Sequence, residues 1–323
     1  SERERRENTG VDHGKSGGQK MNQIQRKSPF WSLAGPLLIY LAIQMLVQTA
    51  VDLVISIPYF ARAYADALKQ GAMPAMEEWL RTCMEALEPA FQIIAAHQVE
   101  IAGVATLATF ALTVPLFIKD RKLEKMCGIS VVKKAPLQGY GFIIFFGAAG
   151  CIAATCLMTM AHLAFYDAQY QQTAEVMYAA GLPLQLLILG GVIPVAEEMM
   201  FRGLLFKRFR ERQRFWYSAV CSSVFFAFMH TSITQTIYTL LLGLMLSYLY
   251  EKFGSLKAPV LLHIVMNTGS VLLTATGGFR WIGADPMRMA AAAIGGAFIC
   301  SVAFVMLQRM PGAEYAQAPQ SGE

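Results

Sequence analysis

Apolar residues in this chain fall into long unbroken blocks, with the polar residues collected between them. Blocks approaching about 18 to 20 apolar residues are long enough to cross the hydrocarbon core as helices. The pattern predicts spans at Trp31 to Ile57, Ile101 to Ile118, Gly139 to Phe165 and Leu182 to Phe206. It predicts four more at Trp216 to His230, Thr236 to Tyr250, Ala258 to Thr274 and Met289 to Leu307. Between the first two spans, Ala61 to Gln98 is amphipathic and carries Glu77, Glu78, Glu85 and Glu88. It reads as one or two amphipathic helices lying at the membrane surface, placed to shape substrate access or to bind a partner. The expected fold is all-α, a polytopic membrane bundle of about eight transmembrane helices. Its body is residues 29–310, between a polar N-terminal tail (1–28) and a polar C-terminal tail (311–323).

Composition agrees with that pattern. Hydrophobic residues make up 55% and charged residues 15%, where a soluble domain has about 25% charged residues. The net charge of +5 comes from short clusters beside the apolar blocks, with no basic stripe interleaved with aromatics. Nucleic acid is therefore not an expected partner; the lipid bilayer is. Lys and Arg gather at the N-terminus, at Lys119 to Lys134, at Lys207 to Arg214 and at Lys252 to Lys257, whereas Tyr166 to Gly181 has none. The positive-inside rule then puts both termini in the cytoplasm, as expected for a protein of a bacterial inner membrane. The six cysteines form no CxxC pair and predict neither a disulfide framework nor a metal site. Met21 opens MNQIQRKSPFW, which reads as a natural start, so residues 1–20 read as an extension; no cleavable signal peptide is evident. No internal repeat supports a transporter built of inverted halves.

Ionisable side chains inside a bilayer are costly, by roughly 2.5–3.5 kcal/mol each, and mark function. Three motifs concentrate them. In Glu197-Glu198-Met199-Met200-Phe201-Arg202, Glu198 and Arg202 are four apart on one helix face and can pair. That pairing leaves Glu197 free, rotated by about 100°. Pro194 lacks a backbone donor, so the helix should bend or open locally there. Phe226 and His230 close the fifth span, and His263 and Asn267 project from one face of the seventh. At about 1.5 Å per residue the four groups Glu197, His230, His263 and Asn267 fall in one slab about 10 Å thick. Each motif also has a structural reading: an ion pair, a core histidine, an interhelical hydrogen bond worth about 1 kcal/mol.

Together, EExxxR, FxxxH and HxxxN in this order on successive spans resemble the CPBP family of intramembrane proteases (CAAX protease and bacteriocin-processing, Abi). That family includes the type II CAAX prenyl endopeptidases. The resemblance covers about Leu182 to Thr274, the expected catalytic core. It implies a bundle with a water-filled cavity opening toward the cytoplasm and an endopeptidase acting on a membrane-associated or lipidated peptide or protein. It further implies that Glu197 activates water, that His230 assists, and that His263 and Asn267 donate to the oxyanion. Glu198, Arg202 and Phe226 would support them. No cofactor is favoured. Glu197, His230 and His263 would be the ligands if zinc were used, which would make the enzyme a metalloprotease. A non-catalytic immunity or scaffold protein, or a transporter, are the other readings.

Overall fold

The structure is a computed structural model that describes residues 28–69, 75–129, 131–161, 166–230 and 232–315. The terminal tails beyond these limits, and residues 162–165, the last four expected of the third span, lie outside the described residues. Seven helices among the described residues are long and apolar enough to cross a membrane, and an eighth apolar helix is shorter. The chain is an integral membrane protein, a polytopic helical bundle.

Helix α1 runs unbroken from Pro29 to Lys69, 41 residues. Its sequence beyond Ile57 is rich in alanine and in good helix formers, so nothing stops the helix where the apolar block ends. Helix α2 (Met76–Ala96) follows and gives way at His97 to α3 (Gln98–Met126). Trp79 of α2 meets Phe60 and Tyr64 of α1 edge-on, and Gln98 reaches Gln48. The chain therefore turns back and runs antiparallel to α1. Of the segment expected at the membrane surface, residues 61–69 prolong α1 and Met76–Ala96 packs back along it. Its amphipathic face meets α1.

A three-residue strand, β1 (Val131–Lys133), precedes helix α4 (Gln138–Met160) and pairs antiparallel with β2 (Glu314–Tyr315) of the C-terminal segment. Helix α5 (Ala168–Tyr178) lies between α4 and the fourth span, α6 (Leu182–Arg210). Helix α7 (Phe215–Phe228) has 14 residues, a rise of about 21 Å. It is thus shorter than a full span of about 30 Å, and His230 falls just past its end. Helices α8 (Ile233–Phe253), α9 (Lys257–Ala275), α10 (Gly278–Gly283) and α11 (Pro286–Arg309) complete the bundle.

Two sets of polar contacts fix the ends of the bundle. At one end Arg208 pairs with Asp120, Lys207 with Glu124, and Arg210 with Glu251. Arg208 also donates to the Ser32 carbonyl and Lys252 to that of Gln308. These contacts gather the start of α1 and the ends of α3, α6, α8 and α11. At the other end Asp167 accepts the Thr234 N–H, and the Tyr178 and Ser270 hydroxyls are hydrogen-bonded. Lys207, Arg208 and Arg210, three of the basic residues that flank the apolar blocks, are thus buried in ion pairs.

Candidate active site

The fourth span is not a uniform α-helix. It runs as α over Leu182–Leu187, π over Ile188–Val192, α over Ile193–Glu198 and π again over Met199–Phe206. The opening expected near Pro194 takes this form. In the first wide turn the Ile193 N–H bonds the Ile188 carbonyl, five residues back. In that register the Leu189 carbonyl would take its hydrogen from residue 194, and a proline has none. Asn267 Nδ2 supplies it instead, at 3.0 Å from α9. One N–H of Asn267 is thus committed to the backbone; its amide carries a second. The approach of α9 depends on Gly190, where an added Cβ would stand 2.7 Å from Thr268 Oγ1.

The two glutamates separate. Glu198 is fully buried, and its Oε1 accepts from Arg202 Nη1 at 2.8 Å and from His263 Nδ1 at 2.9 Å. A carboxylate accepts only, so His263 carries its proton on Nδ1. Its Nε2 faces Glu197 Oε2 at 3.7 Å. Glu197 is 17% exposed, takes no part in the Glu198–Arg202 pair, and borders a cavity. Arg202, also fully buried, donates through Nη2 to the Gly243 carbonyl and lies 4.5 Å from the centre of the Phe226 ring. At Gly243 a Cβ would crowd Ser223 and the guanidinium.

Phe226 is the hub of the site. Its ring meets His230 and His263 edge-on, with centroids 5.3 and 5.8 Å away. His230 places Nδ1 3.1 Å from the Phe226 carbonyl. A carbonyl can only accept, so this contact puts the proton on Nδ1 and leaves Nε2 as the basic nitrogen. Glu197, His230, His263 and Asn267 all line one cavity of about 240 Å³. Among the described residues no three His, Cys, Asp or Glu side chains converge as a metal-ligand set. The candidate zinc ligands Glu197, His230 and His263 line the same space without forming such a cluster.

Sequence reasoning missed the opposite wall. Tyr170, Thr173, Met177 and Tyr178 of α5 cover the cavity, and Tyr238 and Ser270 face it from α8 and α9. A signal was present: Asp167 is an N-cap residue, and positions 170, 173, 174, 177 and 178 share one helix face. The cavity also lies at the α5 end of the bundle, away from the basic end. The resemblance implied an opening toward the cytoplasm, and the basic loops implied that their own end is cytoplasmic. These two expectations conflict in this fold.

A family model described as type II CAAX prenyl endopeptidase Rce1-like matches residues 179–269, which contain all three motifs. YdiL of Bacillus subtilis (strain 168), described as a candidate membrane peptidase, is 27% identical over 92 residues. That stretch is 28% of this chain and 38% of the length of the relative. No solved structure matches the chain significantly.

Proposed function

With an Rce1-like segment at residues 179–269 as the premise, we propose that the protein is an intramembrane endopeptidase of a bacterial cytoplasmic membrane. In this reading it hydrolyses a peptide bond of a membrane-associated polypeptide with water activated by Glu197. One observation carries the proposal: of two adjacent glutamates, one is locked to Arg202 and His263, and the other faces the cavity.

The chemistry follows from the atoms. Glu197 takes a proton from a water molecule, whose oxygen bonds to the scissile carbonyl carbon. His230 Nε2 helps to hold that water. The carbonyl oxygen becomes an oxyanion, which the second N–H of Asn267 can meet. The proton on Glu197 passes to the leaving nitrogen as the C–N bond breaks, with His263 Nε2, 3.7 Å from Glu197, as the relay. Preorganised donors at such a site contribute several kcal/mol to the transition state. No step is routed through zinc, because the candidate ligands do not converge.

The test is turnover of a peptide library by purified protein in detergent. Glu197→Gln should lower turnover by about 10²–10⁴-fold, the usual contribution of a general base. His263→Ala should lower it by about 10²–10⁴-fold, as for a lost proton-transfer group, and a zinc chelator should change nothing. Undiminished cleavage by Glu197→Gln would end the proposal. Loss on chelation with recovery in zinc would make the same residues a metal site. An immunity function that survives Glu197→Gln would mark a non-catalytic relative.

A further inference from the structure

We infer that this site is served from the non-cytoplasmic side of the membrane, and that its substrate is an uncharged segment of an exported or membrane-anchored polypeptide. The chemistry done to the segment rests on the peptidase reading; the side from which it arrives does not.

Access is the first observation. From Glu197 toward the basic end of the bundle, α6 presents Met200, Phe201, Leu204 and Phe206, none with any exposed surface. Leu246 of α8 and Leu262 of α9 are equally buried, and the fully buried Glu198–Arg202 pair lies in the same layer. A cavity of about 260 Å³ at the basic end reaches as deep as Phe206 and Tyr250 and does not include Glu197; the close-packed layer between them keeps water and polypeptide from Glu197. In the other direction the cavity is bounded by the short helix α5 and the first turns of α8. Helix α5 has no fully buried residue. It is held by Asp167 to the Thr234 N–H, by Tyr178 to Ser270, and by Gln185 to the Tyr178 and Ala180 carbonyls.

Charge is the second observation, and it is independent of the first. Lys119, Arg121, Lys122 and Lys125 lie in the last turns of α3, Lys133 and Lys134 lie between α3 and α4, and the Lys207 to Arg214 cluster ends α6. All are at the sealed end. The segment Tyr166 to Gly181 at the cavity end holds no Lys or Arg. Lys and Arg content sets orientation, largely regardless of acidic neighbours. Their burial in ion pairs with Asp120, Glu124 and Glu251 therefore does not weaken the assignment. The sealed end is cytoplasmic and the cavity end is not.

The walls give the chemistry of the occupant. Glu197 is the one carboxylate among the described lining residues, and none of them is Lys or Arg. Tyr170, Thr173, Tyr178, Tyr238 and Thr239 offer hydroxyls and ring faces, and Met177 offers a soft apolar side chain. Such a wall accepts backbone amides and small neutral side chains; its one carboxylate is committed to the reacting water, so a charged side chain finds no spare counterion among the described lining residues. A prenylated C terminus presented in the cytoplasm would arrive at the wrong end.

The experiment reads sidedness without requiring turnover. Gln172→Cys and Thr173→Cys on α5, and Lys134→Cys at the basic end, are each expressed in bacterial cells. A membrane-impermeant maleimide is applied to spheroplasts and to inside-out vesicles, and tagged residues are mapped by mass spectrometry, so the native cysteines can stay. Positions 172 and 173 should be tagged at least about tenfold faster in spheroplasts, and position 134 at least about tenfold faster in inside-out vesicles, because exposure controls thiol access. The reverse pattern would overturn the inference. Detergent-solubilised protein whose cleavage is indifferent to Glu197→Gln would end the peptidase reading instead, with the tagging pattern standing on its own.

Discussion

Glu197 and Glu198 differ by one position and about 100° of helix, and that rotation places one carboxylate in the cavity and the other against Arg202 and His263. The i, i+4 spacing of Glu198 and Arg202 made their pair legible in the sequence. The third partner, His263, was not legible, because it comes from a helix 65 residues away. The two positions should respond differently to the same substitution. Glu197→Gln should abolish turnover without lowering the thermal unfolding midpoint in detergent. Glu198→Gln should lower both, since it leaves a buried arginine without its counterion, a loss of about 3–5 kcal/mol. Equal midpoints for the two variants would contradict this division. Asn267 supports a sharper expectation. Asn267→Ala strands the Leu189 carbonyl, and a buried unsatisfied acceptor costs about 1–3 kcal/mol. Pro194→Ala restores a backbone N–H in the register that carbonyl needs. Adding it to Asn267→Ala should recover part of the lost stability, measured as a double-mutant cycle. Strictly additive losses would show that the proline does not create the vacancy Asn267 fills.

At the scale of elements, the apolar blocks were readable as helices because burial in lipid demands only length and composition. The wide turns of α6 were readable only as a disturbance at Pro194. Their register depends on what α9 brings to the Leu189 carbonyl and on the close approach at Gly190. Helix α5 does not stand out in the apolar pattern because its composition is polar, although its capping residue and one-sided spacing are present in the sequence. Asp167 holds this helix twice, accepting the N–H of Tyr170 through Oδ1 and that of Thr234 through Oδ2. The Thr234 N–H, with that of Tyr170, keeps the Asp167 carboxyl below its ordinary pKa. A depressed carboxylate contributes its stability above the unfolded value and loses it as pH falls through the folded one. The anchoring of α5 should therefore be complete above about pH 5 and fade below about pH 4. Asp167→Ala should remove it at every pH, speeding amide exchange in α5 by about fivefold to tenfold, as expected for a lost cap. Exchange in the variant that still rises on acidification would assign the pH dependence to another group.

The architecture of the whole molecule rests on where its two ends lie. Arg208 donates to the Ser32 carbonyl and thereby ties the start of α1 to the sealed, basic end. From that level 41 residues rise about 60 Å, twice the thickness of the hydrocarbon core, which is about 30 Å. The far part of α1 and the helix that packs on it therefore project beyond the bilayer on the cavity side. The sequence showed that 61–98 is amphipathic, but amphipathicity does not say whether lipid, solvent or another helix meets the apolar face. Here α1 meets part of it through Phe60, Tyr64 and Trp79, while Met76, Leu80 and Met84 remain exposed. Because α2 packs chiefly on α1, the projection carries little of the stability of the bundle. Replacing residues 61–82 by a short Gly/Ser loop should shift the unfolding midpoint by no more than about 2–4 °C, the equivalent of about 1 kcal/mol. Glu197-dependent cleavage of short peptides should persist, since every site residue lies on α6 to α9. Cleavage of a membrane-anchored polypeptide should slow, if the exposed apolar row on the cavity side of the bilayer is what such a substrate meets first. If both substrates are cleaved at the wild-type rate, the projection has no part in capture. If the shortened protein fails to fold, the hairpin belongs to the core, and α1 owes its length to stability and not to substrate.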